Sequence, residues 1–257
     1  MSAVTEKQIE NGFWLWDKAN GFSPDSITYP TQFSGQTKLN IACTQCSDLT
    51  PAQQKNLIKE WASFLPNCKS IELLWFTTTT PQTIFDSVCL IDGLVGLNIK
   101  NSNIKSLDSL SNLKKLKYLR IGNSPKIESI EPLKTLANLE VLVIENFKNI
   151  SDFSVLKLLT NLKSLTIEGG MYKKQKIDSF DFLADLKDLI YLSTTMISSM
   201  STSIDTICKL KNLKTLNWAF DLTKSEIEKL NQELSNLKYL PHRHVESNLI
   251  KIKSTDK

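Results

Sequence analysis

Apolar residues along this chain alternate between two spacings. In "LANLEVLVIEN" (136–146), Leu136, Leu139 and Leu142 follow at intervals of three, whereas Ile144 comes only two residues after Leu142. An interval of two places side chains on the same face of a β-strand. An interval of three suits a helical or 3-10 segment. The phrase therefore predicts a helical segment, a turn and then a strand.

Phrases of this kind recur over most of the chain. The first residue of each closely spaced apolar pair lies at Ile71, Leu97, Leu119, Leu142, Leu165, Leu192, Leu216 and Leu240. Successive positions are 26, 22, 23, 23, 27, 24 and 24 residues apart. Leu39 and Ile41 form a further candidate pair, 32 residues before Ile71. Because a single unit cannot bury its own leucines, we expect stacked units that share one continuous core and one parallel sheet.

Two stretches carry a longer pattern, "LNIKNSNIKSLDSLSNL" (97–113) and "LRIGNSPKIESIEPLKTLANL" (119–139). They resemble the leucine-rich repeat family in its bacterial internalin-like form, whose unit runs L-x-x-L-x-L-x-x-N-x-I-x-x-L-x-x-L. The resemblance implies an α/β fold. It would be a leucine-rich repeat solenoid curved into an arc, with a parallel concave β-sheet, a helical or 3-10 convex side, and caps at both ends.

The chain departs from the family pattern at the turn. The asparagine expected five residues after the first strand leucine is replaced by Ser102, Ser124 and Phe147. Asparagines stand one place earlier, at Asn101, Asn123 and Asn146. Either the turns are bulged by one residue, or the serine hydroxyls cap the turn carbonyls.

The pattern divides the chain into three parts. We expect an N-terminal cap segment at 1–37, eight or nine repeat units at 38–243, and a C-terminal cap and tail at 244–257. Apolar "FWLW" (13–16) either plugs the N-terminal end of the array or forms an exposed patch for a partner.

Two longer helices are predicted near the ends of the repeat array. Thr50 and Thr223 are candidate N-caps, with Gln53 and Glu226 three residues further on, which is the signature of a capping box. We expect the first helix to be about one turn longer than the second.

Composition narrows the function. The 257 residues are 41% hydrophobic and 23% charged, with a net charge of +4, which is too small to indicate nucleic-acid binding. No apolar run approaches the ~20 residues that span a bilayer, so no membrane segment is expected. The N-terminal sequence lacks the pattern of a secretory signal, and five cysteines at loose spacing favour reduced thiols. We therefore expect a cytoplasmic protein that is monomeric when free.

Few residues suggest catalytic or metal chemistry. Cys43 and Cys46 have the spacing of half a zinc site or of a redox motif, but no second pair and no histidine lie near them in sequence. We expect core thiols there, and we expect neither a cofactor nor a metal. Asp221, His242 and His244 form an alternative site at the C-terminal rim, which would suit an enzyme or an enzyme regulator.

In this family the outward strand residues usually form the binding surface, so the resemblance implies a partner-binding face on the concave sheet. Its predicted residues, expected to project from the sheet, are Leu74, Trp75, Asn98, Lys100, Tyr118, Arg120, Val141, Val143, Glu145, Thr166, Glu168, Tyr191, Asn217, Phe220 and Tyr239. Aromatic residues and arginine are enriched in interface hot spots. Stacking in register would also place Glu145 and Glu168 about one strand spacing apart, ~4.8 Å.

These observations predict a non-enzymatic protein that binds another protein on its concave face. One specific version is an immunity-type inhibitor of a bacterial toxin or effector. The alternatives are the C-terminal rim enzyme or regulator, and a host-contact or adhesion protein.

Overall fold

Repeating units of strand, turn and 3-10 helix run through the described part of the chain. The computed structural model describes Ile9 and residues 23–201, 203–235 and 237–239, including the backbone of Tyr239. Ten strands of these ranges form one entirely parallel sheet. They are β1 (Ser26–Ile27), β2 (Lys38–Ile41), β3 (Leu73–Thr80), β4 (Gly96–Ser102), β5 (Tyr118–Ile121), β6 (Val141–Glu145), β7 (Ser164–Glu168), β9 (Tyr191–Thr195), β11 (Thr215–Asn217) and β12 (Lys238–Tyr239). The expected leucine-rich repeat arc with its concave sheet is confirmed.

The other elements return the chain along the convex side or lie at the ends of the strands. Short strands β8 (Gln175–Ile177) and β10 (Ile197–Ser199) pair only with each other. Three α-helices are described, α1 (Pro51–Phe64), α2 (Gln82–Val88) and α3 (Lys224–Glu233). The 3-10 segments are Pro30–Gln32, Leu65–Asn67, Asp108–Asn112, Glu131–Thr135, Ser154–Leu158, Asp181–Asp185 and Ile207–Lys209.

The leucine register matches the sequence pattern through the middle of the sheet. Leu97 pairs with Leu119, and the same row continues through Leu142 and Leu165 to Leu192. All five side chains are buried in one continuous core. Burial of each apolar side chain contributes roughly 1.5–3 kcal/mol, so the stacked row is a major source of stability.

The predicted phase of β3 is wrong. Leu74, not Ile71, pairs with Leu97, and Leu39 pairs with Leu74. The sequence "IELLWF" offers two pairs with strand spacing, Ile71 with Leu73 and Leu74 with Phe76, and the strand uses the second pair. Leu74 therefore lies in the core and is not part of the concave face, as was predicted.

The last strand is also displaced by one residue from its predicted register. Tyr239 is the partner of Leu216, a place that the sequence pattern gave to Leu240. The final interval is thus one residue shorter than predicted. Leu240 lies outside the described residues.

Both predicted helix caps are confirmed. Thr50 and Thr223 accept hydrogen bonds from the backbone amides of Gln53 and Glu226, whose side chains bond back to the cap. Helix α1 has 14 residues and α3 has 10, so α1 is about one turn longer, as expected. The indole of Trp61 in α1 is buried and donates to the Thr28 carbonyl at 2.7 Å, which fixes the helix against the start of the sheet.

Serine replaces the expected turn asparagine by bonding inside the core. The hydroxyl oxygens of Ser102 and Ser124 are 2.6 Å apart, and Ser124 donates to the Gly122 carbonyl at 2.7 Å. Of the two alternatives, serine capping is therefore observed in these units. The preceding asparagines make a separate chain on the surface, where Asn146 donates to Asn123 at 2.8 Å and Asn123 donates to Asn101 at 3.2 Å.

Candidate functional site

The concave face consists of outward side chains in three rows across the sheet. Residues two apart on a strand face the same way. The first row is Leu73, Gly96, Tyr118, Val141, Ser164, Tyr191 and Thr215, and the middle row is Trp75, Asn98, Arg120, Val143, Thr166, Ser193 and Asn217. The third row lies two residues further along the strands and contains Lys100, Gly122, Glu145, Glu168 and Thr195.

An apolar cluster separate from the main core lies on the first two rows. We call it the concave patch, and it consists of Leu73, Trp75, Tyr118, Val141 and Val143. The exposed fractions are only 2% for Trp75, 5% for Tyr118 and 8% for Val143. The predicted orientation of Trp75, Tyr118, Val141 and Val143 toward the concave side is correct. Their side chains are nevertheless shielded from solvent.

Polar neighbours of the concave patch are shielded as well. Asn98, Thr166 and Tyr191, all predicted binding residues, are buried, as is Ser193 in the middle row. The pKa of Tyr191 is raised, mainly by burial. The first two rows are thus closed to solvent at many positions, and sequence alone did not reveal this.

Accessible charge is concentrated in and beside the third row. Lys100 is exposed, and Arg120, Glu145 and Glu168 are partly exposed, as is Asn217 in the middle row. We call Lys100, Arg120, Glu145 and Glu168 the charged row. Four of the predicted binding residues therefore form a group on the accessible strip of the concave face.

Arg120 and Glu145 are joined across neighbouring strands. Arg120 Nη2 lies 3.2 Å from Glu145 Oε2, and both side chains are partly buried. Gly122 leaves the space through which Glu145 reaches Arg120. A Cβ atom at Gly122 would stand 3.2 Å from Glu145 Oε2 and 2.5 Å from the Lys100 carbonyl oxygen. The missing side chain at Gly122 is therefore a condition for this ion pair.

Glu168 is the direct register partner of Glu145, as predicted. Burial raises the pKa of Glu168, and the neighbouring Glu145 carboxylate raises it further, while Arg120 and a hydrogen bond with Thr195 act in the opposite direction. Two carboxylates near one guanidinium leave a net negative charge. A cationic group placed beside Glu168 would be stabilised there.

Exposed apolar side chains lie directly beyond this carboxylate pair. Met171, Tyr172, Met196 and Met200 are 82%, 89%, 44% and 96% exposed, and we call them the rim patch. They lie in the segments that leave β7 and β9. The two segments are held together by the Gly169 amide, which donates to the Thr195 carbonyl at 2.9 Å, and by the Gln175 amide, which donates to the Met196 carbonyl at 2.8 Å.

Sequence reasoning did not select Met171, Tyr172 or Met200. The available signal was the 27-residue interval between Leu165 and Leu192, the longest step in the predicted series. The extra residues form the β8–β10 pair and the exposed loops beside it. An irregular unit in a repeat array often carries a functional insertion.

The cysteines are free thiols. Cys43 is buried in the core, and burial raises the pKa of its thiol to about 12. Cys46 is partly buried and packs against the same core. Within the described residues, no group of three or more His, Cys, Asp or Glu side chains could hold a metal ion. Core placement of both thiols agrees with the sequence prediction.

The remaining predicted residues lie elsewhere or are not described. Phe220 packs against the buried rings of Phe180 and Trp218 instead of facing the concave side, so its predicted placement is wrong. The Tyr239 side chain, His242, His244 and "FWLW" (13–16) lie outside the described residues, whereas Asp221 is exposed. The C-terminal rim site stays a prediction.

Residues 92–135 match a family model described as "Leucine Rich repeats (2 copies)". This segment spans the units of β4 and β5, whose leucines pair in register. The chain is a leucine-rich repeat protein. Among curated protein sequences, no significant match to this leucine-rich repeat protein is found. None of its described helices is long and apolar enough to cross a membrane.

Solved structures share the fold. Internalin C2 from Listeria monocytogenes has 24% identity and a TM-score of 0.56, with 72% of this leucine-rich repeat protein and 80% of the internalin covered. Internalin inlF from the same species has 22% identity and a TM-score of 0.50, with 78% and 64% covered. The plant peptide hormone receptor RGFR1 in complex with RGF2 has 17% identity and a TM-score of 0.52, with 70% and 29% covered. The chain thus spans less than two thirds of the length of the last two proteins, and the likeness establishes the fold alone.

Proposed function

We propose that this leucine-rich repeat protein is a non-enzymatic binding protein. It holds a protein partner on the accessible strip of its concave face, with the charged row as the centre and the rim patch as an apolar edge. The observation that carries the proposal is the Glu145–Glu168 carboxylate pair with Arg120 beside it and exposed Met196 and Tyr172 close by in the chain.

The chemistry of the strip favours a protein over a polyanion. Two adjacent carboxylates would repel a nucleic-acid backbone, whereas a lysine or arginine of a partner would relieve their mutual repulsion. Tyrosine and methionine are both enriched at protein interfaces relative to the rest of a protein surface. The solved structure of RGFR1 in complex with RGF2 gives a precedent for ligand binding by a protein of similar fold.

Charge reversal tests the proposal. Full-length protein, the double variant Glu145→Lys/Glu168→Lys, and the convex control Glu131→Lys are immobilised and exposed to lysate from the source cells. We expect one stoichiometric partner with the original protein and with the control, and at least tenfold less with the double variant. Thermal unfolding of all three proteins verifies that the fold is retained. Equal recovery by the double variant would exclude the charged row as the binding centre.

A finer version of the proposal is that the partner is a bacterial toxin or effector, which the protein inhibits by occlusion. The carboxylate pair would then meet a basic group of the toxin. Co-expression of candidate toxins with the original protein should restore cell growth, and the double variant should fail to do so. Restoration by both proteins alike would contradict inhibition through this strip.

A further inference from the structure

Burial of the concave patch is the starting point. A side chain that projects from the open face of a single sheet is covered only if another element lies on it. Among the described residues, the apolar side chains packed with the concave patch are its own members and Val95, which precedes β4. Trp75 and Val141 nevertheless have exposed fractions of 2% and 0%. The cover must therefore come from chain beyond these residues.

The chain before Ser23 is long enough and begins in the right place. It enters the sheet at β1, and the concave patch extends from β3 to β6. Five strand spacings separate β1 from β6, about 24 Å. Even in fully helical form, residues 1–22 would span about 33 Å.

The chemistry of this segment matches the concave patch. Ile9, Phe13 and Trp16 follow at helical intervals of four and three, which places them on one face of a helix. Ile9 is the one described residue of the segment, and it is helical with 3% exposure, although it belongs to neither described apolar cluster. By contrast, residues 240–257 contain no aromatic side chain other than two histidines and carry four basic residues.

We propose that residues 1–22 lie on the concave face and cover the concave patch, with the side chains of Ile9, Phe13 and Trp16 directed at it. The protein thus occupies the apolar part of its own binding face, and the charged row and rim patch remain accessible. The proposal does not depend on the identity or existence of an external partner.

Thiol labelling of the full-length chain tests the cover. Val143→Cys places a thiol in the concave patch, and Leu158→Cys places one on the convex side, where Leu158 is 53% exposed. Maleimide labelling is followed peptide by peptide, and the buried Cys43 and Cys89 report whether the core stays closed. We expect Val143→Cys to react at least tenfold more slowly than Leu158→Cys. Similar rates would overturn the proposal.

A second pair of variants identifies the segment. Adding Phe13→Asp and Trp16→Asp should accelerate labelling of Val143→Cys at least tenfold while Cys43 and Cys89 stay protected. Adding Lys251→Asp and Lys253→Asp in the C-terminal segment is the matched control and should leave the rate unchanged. Acceleration by the control alone would assign the cover to residues 240–257 and overturn the proposal.

Photo-crosslinking provides a measurement that does not require loosening the segment. Benzoylphenylalanine at Phe13 in an equal mixture of isotopically light and heavy full-length protein should give products within one chain, joined to peptides containing Trp75, Tyr118 or Val143. The same group at Leu158 should not reach those peptides. Products between light and heavy chains would show that a second copy covers the patch, and products on convex peptides would place the segment elsewhere. Either result would overturn the proposal.

Discussion

Glu145 and Glu168 face each other on adjacent strands, and Arg120 forms an ion pair with Glu145. Like charges directly opposite each other destabilise a sheet. Burial of Glu168 adds to that cost and shifts its pKa upward. The arrangement therefore reduces the stability of the free protein at neutral pH, in the region where we propose that a partner binds.

Replacing Glu168 with glutamine should stabilise the protein at neutral pH. Because the pKa of Glu168 is raised on folding, the folded state holds the proton more tightly than the unfolded state. The stability that this group contributes is complete below its unfolded pKa and is lost as pH rises through the folded pKa. Glutamine removes that loss, so Glu168→Gln should be the more stable protein at pH 7 and the difference should shrink at pH 3.5. Urea unfolding at both pH values measures it, with exposed Glu128→Gln as control. A less stable Glu168→Gln at pH 7 would contradict the assignment.

The leucine row predicts a large effect at Leu142, which is fully buried between its partners Leu119 and Leu165. Leu142→Ala should lower the free energy of unfolding by ~2–5 kcal/mol, because the lost side chain leaves a cavity in a packed core. Leu158→Ala removes the same atoms from a residue that is 53% exposed and should change stability by about 0.5 kcal/mol or less. Chemical denaturation compares the two. Equal losses would mean that the row does not form the core.

The serine pair predicts a polar coupling inside the core. Ser124→Ala removes the partner of Ser102 and the hydrogen bond to the Gly122 carbonyl, and should cost ~1–3 kcal/mol because buried polar groups lose their bonds. Ser111→Ala is the control, since its hydroxyl bonds to Asp108 on the surface. A double-mutant cycle with Ser102→Ala isolates the pair. Strict additivity of the two single changes would show that the hydroxyls are not coupled.

Sequence periodicity predicted the fold well because burial of leucine has a fixed geometric period. It identified the paired positions from Leu97 to Leu216 and both capping boxes, features that depend on residues near each other in the chain. It failed at β3, since "IELLWF" satisfies the strand period in two phases. It also placed Trp75 and Val143 on the correct face without detecting their burial, because the covering contact is not encoded in the period of the strand.

The caps predict effects that are confined to helix ends. Thr50→Ala and Thr223→Ala each remove the acceptor of a backbone amide and should each cost about 1 kcal/mol. Thr50→Ser and Thr223→Ser keep the hydroxyl and should be close to neutral. Guanidinium unfolding provides the free energies. If alanine and serine variants behaved alike, the hydroxyl bond would contribute nothing.

At the opposite edge of the strands, Glu140 predicts a pH dependence of the reverse sign. Burial by itself would raise the pKa of Glu140, but hydrogen bonds and positive charge from Lys117 and Lys163, at 2.9 and 3.0 Å, outweigh it and hold the pKa below its ordinary value. The folded state therefore releases this proton more readily than the unfolded state, so the stability contributed by Glu140 is present above its unfolded pKa and is lost as pH falls through the folded pKa. Because both lysines are partly exposed, Glu140→Gln should cost only about 1 kcal/mol at pH 7. That cost should diminish below pH 4 and in high salt, which screens the charges. Unfolding curves at pH 7 and pH 3, with and without added salt, measure the difference between the two proteins; a cost that grows on acidification would refute the three-residue ion cluster.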